Sequence, residues 1–250
     1  DRTHYQYAIR ALNLGYDLLL EKPIAETAEE CRGIYELSKK LNRKVEVCHV
    51  LRYSPFYALI KQKIDSGELG KVVTVTQTEN VGWSHQSHSF VRGNWGNSEK
   101  SSPMILQKCC HDMDILYYLI GKDCKAVSSF GSLTYFTKEN APEGSADYCY
   151  KCPKKDECAY NCLEIYKKTG AASGFLFVTD YYGDADDNAA IEKHFSNPDN
   201  RFARCVYKCD NDVVDHQVTN LLFEDGITAQ LTMTAFSAAT TRVIKVHLTK

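Results

Sequence analysis

With 250 residues, 44% of them hydrophobic and 25% charged, the chain carries enough apolar material for one large or two modest globular cores, which excludes a disordered or fibrous protein. Lys and Arg number 30 against 32 Asp and Glu, a net charge of -2, so bulk electrostatics give no reason to expect a nucleic-acid partner. No apolar run reaches the roughly 18 residues that cross a bilayer and no signal-peptide pattern opens the chain, so a cytoplasmic protein with no membrane partner is expected.

Residues 5–14 read as a helix ended by Gly15, and residues 16–20 as a short, continuously apolar strand of the kind buried in parallel sheets. Thr27 and Glu30 have capping-box spacing and precede Cys31, Ile34, Leu37 and Leu41 at helical intervals; Asn42 and Arg43 end that helix before a strand over residues 45–50. Strand, helix, strand in this order predicts a parallel sheet. Ser54 as N-cap and Pro55 at the first helical position start another helix that runs to about Ser66.

From residue 71 the texture turns to β. Residues 72–78, 127–136, 203–208, 218–223, 227–236 and 243–248 predict a large, mainly antiparallel sheet with Glu224-Asp225-Gly226 as a hairpin turn. Residues 103–120, closed by Gly121, read as one helix whose Ile105, Leu106, Met113, Leu116 and Leu119 cover a sheet face. The acidic stretch 180–188 reads as solvated surface.

Four groups of residues suit chemistry. Glu21-Lys22-Pro23 follows the first strand directly, where open α/β sheets bind ligands, and Pro23 restricts the backbone of Lys22. Gln107, His111 and Asp114 fall at i, i+4 and i+7 with Lys108 beside them, a polar helix face that either converges on a substrate or holds a hydrogen-bonded histidine. Glu79, Asn80, Trp83, His85, His88, Arg92 and Trp95 mix rings with hydrogen-bonding groups, which suits a polyol or a packed surface loop. Cys149, Cys152, Cys158 and Cys162 are spaced closely enough to enclose a structural zinc, with free thiols as the alternative; the other seven of the 11 cysteines read as small apolar residues.

Together, Asp1-Arg2-Thr3-His4, the helix to Gly15, Glu21-Lys22-Pro23, the capping box, the Arg92/Trp95 segment and His111-x-x-Asp114 resemble the glucose-fructose oxidoreductase, inositol dehydrogenase and MocA family over nearly the whole chain. The resemblance implies an α/β fold: the C-terminal portion of a Rossmann domain over residues 1–51, then an α+β domain over 52–250 with a large, mainly antiparallel open sheet and a Cys-rich insertion at about 140–170. It further implies NAD or NADP as cofactor, a sugar, inositol or related polyol as substrate, and a homo-oligomer, dimer or tetramer, built through the open sheet. On this basis Lys22, His111 and Lys108 are the catalytic candidates. Glu21, Lys22, Pro23 and Arg52 fall to the cofactor, and Glu79, His88, Arg92, Trp95, Gln107 and Asp114 to the substrate.

Gln107 departs from the pattern, because family members commonly carry an Asp one turn before the histidine and an amide cannot act as a base. No G-x-G-x-x-G occurs, and a chain that is an interior portion of a longer protein is expected. A hydride-transferring dehydrogenase is the leading expectation. The alternatives are a relative that uses NAD transiently to cleave a glycoside, and a non-catalytic assembly module.

Overall fold

A computed structural model of the chain describes residues 2–250; Asp1, one of the residues behind the family resemblance, lies outside the described residues. The first unit alternates helix and strand as expected: α1 (His4–Asn13), β1 (Leu18–Leu20), α2 (Ala28–Leu41) and β2 (Val45–Val47), with β1 and β2 parallel. Thr27 accepts from the Glu30 amide while the Glu30 carboxylate accepts from the Thr27 amide, so the capping box starts α2 as its spacing requires. At the other end Asn42 adopts φ 52° and closes the helix in the left-handed region. Ala8, Leu12, Leu20, Ala25 and Ile34 form the core of this unit.

A 3-10 turn (Val50–Tyr53) leads to α3 (Pro55–Asp65) and into the second unit. Here β3 (Val72–Asn80) is followed by the short α4 (Trp83–His85) and by a π-helical segment, Gln86–Arg92, in which all seven residues are buried. The aromatic cluster is therefore an interior helix, not a surface loop. Gly93 lets the chain fold back on it, because a Cβ there would meet the His88 carbonyl oxygen at 2.6 Å.

The single helix expected over residues 103–120 is broken into α5 (Met104–Gln107) and α6 (Cys110–Ile120). At the break the Cys109 amide reaches back to the Met104 carbonyl at 3.4 Å, and the Gln107 carbonyl accepts a hydrogen bond from Lys22 Nζ at 3.0 Å. Gln107 and His111 consequently do not share one continuous helix face.

β4 (Cys124–Ser132) starts a mixed sheet completed, after α7 (Cys162–Ile165) and α8 (Asn188–His194), by β5 (His216–Phe223), β6 (Thr228–Thr234) and β7 (Thr241–Leu248). The order is β4-β5-β6-β3-β7, antiparallel except for β3 against β6. Glu224–Gly226 makes the predicted turn, with Asp225 and Gly226 both at positive φ. β4 ends at Ser132 because the Asp215 carboxylate accepts from the Thr134 and Tyr135 amides at 2.9 and 2.7 Å. Residues 203–208 are no strand: Cys205, Val206 and Tyr207 are all buried beside Phe136 and Tyr160, a run without the alternation of a sheet face.

One sheet face packs on α6 through Val75, Leu231, Met233, Leu116 and Ile120. The other leaves Phe130, Leu222 and Val243 exposed. Residues 137–202 wrap a separate core around Tyr166, Phe195 and Phe202. No helix among the described residues is long and apolar enough to cross a membrane.

Candidate active site

Lys22 leaves the carboxyl end of β1 and His49 follows the end of β2, so both occupy the edge at which open parallel sheets take ligands. The Pro23 carbonyl is held 2.7 Å from His4 Nδ1, which ties the Glu21-Lys22-Pro23 turn to α1. Lys22 Nζ then reaches the Gln107 carbonyl across the boundary between the two units. A groove of about 490 Å³ opens beside this contact, lined by Pro23, Ile24, His49, Leu106, Cys110 and Met113.

His111 lies in the first turn of α6. Burial, reinforced by Lys22, Arg242, His49 and Lys108, pushes its imidazole down to about 4, so it is neutral at pH 7. His49 stands edge-on to it with ring centroids 6.1 Å apart. Burial, then Lys108 and other cationic neighbours including Lys22, lowers His85 to about 3. His85 is the one member of the aromatic cluster that shares a local field with both lysines. Its position next to other rings gave no sequence signal for that role.

Lys108, freed from the helix by the break, places Nζ 3.4 Å from Glu79 Oε1. Glu79 is fully buried on the inward face of β3 and also meets Arg242 Nε at 2.7 Å. Arg242 extends a second contact to Asp112 at 2.8 Å, and Gln77 Nε2 donates to the same carboxylate at 2.5 Å. Two carboxylates and two cations therefore balance beneath the cleft. Glu79 is a buried ion-pair partner, which withdraws it from direct substrate binding.

Other expected contacts also resolve into structural roles. Arg52 donates to both Asp114 oxygens, Nε at 2.8 Å and Nη2 at 2.6 Å, with its guanidinium over the Tyr118 ring. That pair joins Arg52, expected at the cofactor, to Asp114, expected at the substrate, which also lines the groove. Gln107 is buried, and Lys22 meets its backbone carbonyl. His88 stacks between Phe175 and Phe202 at 4.7 and 4.9 Å with Nδ1 2.7 Å from the Tyr166 hydroxyl. Arg92 is wholly inside the protein, donating to the Arg204 and Tyr160 carbonyls. Both are interior packing groups, not substrate contacts. Trp95 alone of that segment faces open space, a cavity of about 640 Å³ shared with Arg2, Asn94, Lys100 and Arg201 and lined by neither Lys22 nor His111.

The structure gives the zinc expectation no support. Among the described residues no group of three or more His, Cys, Asp or Glu side chains is arranged to hold a metal, and all 11 cysteines are free thiols. Cys162 turns into the core beside Tyr166, while Cys149, Cys152 and Cys158 line a cavity of about 20 Å³ with Cys205. Arg92 Nη2 lies 3.6 Å from Cys149 Sγ, a cation occupying the approach that a metal ion would need.

Comparison with known proteins agrees with this architecture. Residues 1–49 match the model of an oxidoreductase family's NAD-binding Rossmann fold, and residues 61–241 match that family's C-terminal alpha/beta domain. YteT of Bacillus subtilis (strain 168), named for an oxidoreductase, is 26% identical over 231 residues, 90% of this chain and 51% of that protein. Levoglucosan dehydrogenase of Pseudarthrobacter phenanthrenivorans is 29% identical over 147 residues, 59% of this chain and 37% of the relative. The structure of scyllo-inositol dehydrogenase from Lactobacillus casei, solved with NAD(H) and scyllo-inositol, superposes with a TM-score of 0.61 at 17% identity, covering 100% of this chain and 53% of that one. The chain thus spans about half the length of YteT and of that dehydrogenase. Family models matching nearly its whole length, on a fold with a parallel βαβ unit followed by an open mixed sheet, establish that the chain belongs to the Gfo/Idh/MocA oxidoreductase family.

Proposed function

We propose that the intact protein carrying this chain is an NAD(P)-dependent oxidoreductase that moves a hydride between the nicotinamide and a hydroxyl-bearing carbon of a sugar, inositol or related polyol. The observation that carries the reading is the meeting of Lys22 with the α5–α6 break, where Lys22 and Lys108 both act electrostatically on His111 beside the carboxyl ends of β1 and β2. Lys22 and His49 suit the nicotinamide end of a dinucleotide, since ligands of open parallel sheets lie there. The bound cofactor accepts or returns the hydride. Lys22 donates a hydrogen bond to the reacting oxygen and favours its alkoxide character, and His111, kept neutral by the surrounding cations, accepts the hydroxyl hydrogen bond and fixes its direction.

Trp95 and the cavity beside it fit the remoter hydroxyls of the substrate. The exposed apolar residues of the open sheet fit a homo-oligomer contact. Incubating the intact protein with NAD or NADP and a panel of inositols, aldoses and anhydrosugars, while following nicotinamide absorbance, tests the reading. Substrate-dependent reduction supports it, and failure to bind either nucleotide overturns it. Gln107 in place of a carboxylate favours a second reading, glycoside cleavage with transient oxidation, which releases free sugar without net nicotinamide reduction.

A further inference from the structure

His111 sits among Lys22, Lys108 and Arg242, so a proton placed on its imidazole adds positive charge to an already cationic pocket. The oxidation of a hydroxyl nevertheless releases a proton that some group must receive. Gln107, four residues before His111, provides no carboxylate. The structure provides a carboxylate from a different element. Glu79, on the inward face of β3, lies 3.4 Å from the Nζ of Lys108, whose side chain is 15% exposed at the break after α5.

We propose that Glu79 is a positioning and proton-relay residue that acts through Lys108, supplying from the sheet the carboxylate that position 107 lacks. This rests on the oxidoreductase reading above. As the hydride leaves the substrate carbon for the nicotinamide, Lys108 Nζ gives a proton to Glu79 Oε1 and takes the hydroxyl proton on the lone pair this frees; once the product has left, the proton on Glu79 returns through the partly exposed Lys108 to solvent. The substrate becomes the carbonyl compound, Lys108 ends with the number of protons it began with, and Glu79 becomes a neutral carboxyl.

Three features fit Glu79 to that task. Its carboxylate is fully buried and surrounded by protein, so its proton does not exchange freely with water. Burial already raises its proton affinity, with Asp112 adding to the effect and Lys108 and Arg242 opposing it. Although it is ion-paired to Lys108 and Arg242, neither carboxylate oxygen holds an aligned hydrogen bond among the described residues, which leaves room for a proton to settle. The other groups facing it are Tyr57 of α3, pushed up to about 12 by burial, and Cys109, pushed up by burial as well. Both stay neutral at working pH. Asp112 is committed to Arg242 and Gln77.

The test uses the intact protein and Glu79→Gln, with two readouts. In the absence of cofactor, competitive acetylation of Lys108 followed by peptide mapping reports how much of its amine is unprotonated. Removing the counter-charge is expected to raise labelling at pH 7.5. With cofactor and a substrate found by the panel above, kcat is expected to fall at least about tenfold and its pH limb to move, while KM changes less than about threefold. Glu79→Asp is expected to recover part of both. If Glu79→Gln does not fold, Lys108→Arg keeps the ion pair without a readily transferred proton and is expected to fold and lose kcat. Unchanged Lys108 labelling together with an unmoved pH limb overturns the proposal. Should the panel yield no substrate, the oxidoreductase reading fails by itself, and the labelling result still decides whether Glu79 governs Lys108.

Discussion

Arg52 and Asp114 stitch the segment after β2 to α6, and the geometry makes the two partners unequal. The Asp114 side chain is 9% exposed, whereas Arg52 is 35% exposed. In Arg52→Met the carboxylate is left with His49 Nε2, 3.9 Å away and charged only when protonated, and a near-buried charge without a partner costs about 3 kcal/mol. In Asp114→Asn the guanidinium keeps one amide acceptor, its stack on Tyr118 and access to water, and the cost is about 1 kcal/mol. Arg52→Met/Asp114→Asn, with neither charge left, is expected close to the Asp114 single variant, which gives a coupling energy of about 3 kcal/mol. Urea unfolding of the intact protein and its three variants at pH 7 measures all of these. The His49 ring signal gives an independent check: without Arg52 its proton affinity should rise, because Arg52 depresses it and Asp114 raises it. Equal single-variant costs, or an additive double variant, would show that the pair is an ordinary surface bridge.

Three further outcomes follow from the same coordinates. His88 is held at about 4 by burial and by Arg92 and Arg201, so the unfolded chain takes up its proton first; stability is complete above about pH 6.5 and declines by up to about 3 kcal/mol as pH falls towards 4. His88→Phe should flatten that dependence in unfolding measurements between pH 7 and 4.5, and an unchanged slope would assign the effect to other groups. Thr27→Ala removes the acceptor of the capping box and should cost about 1 kcal/mol, read from amide exchange at the start of α2. Lys22→Met should reduce kcat by about 100-fold or more while nicotinamide binding survives, as titration by nucleotide fluorescence would report.

The parts of this molecule that could be read from its sequence are those set by local rules. The Thr27/Glu30 box, Pro55 at the head of α3, the Asp225-Gly226 turn and the alternation along β3 each specify a backbone state within a few residues. The α5–α6 break could not be read in that way, because its cause is Lys22, 85 residues away, taking the Gln107 carbonyl. Likewise, nothing local distinguishes Glu79 in a buried ion pair from Glu79 at a substrate, nor Arg92 among carbonyls from Arg92 in a pocket. The partners come from β7, from α6 and from residues 160 and 204. The cysteine spacing misled for a related reason: Cys205, outside the window, replaced Cys162 at the small cavity.

The parallel pairing of β3 with β6 also dictates an order of events during synthesis. Thr74 and Thr228, joined through their hydroxyls, are 154 residues apart, and β7, the other neighbour of β3, comes later still. At about 5–20 residues per second, β3 emerges roughly 8–30 s before either strand that will flank it exists. The β5–β6 hairpin is the only strand pair in this sheet that forms from adjacent sequence, so it is the natural seed onto which the earlier strands dock. During that wait β3 exposes two open edges, with Gln77 and Glu79 on its inward face. Residues that later hold charge beneath the cleft thus begin as polar interruptions in an unpaired strand, where they oppose premature association with other chains.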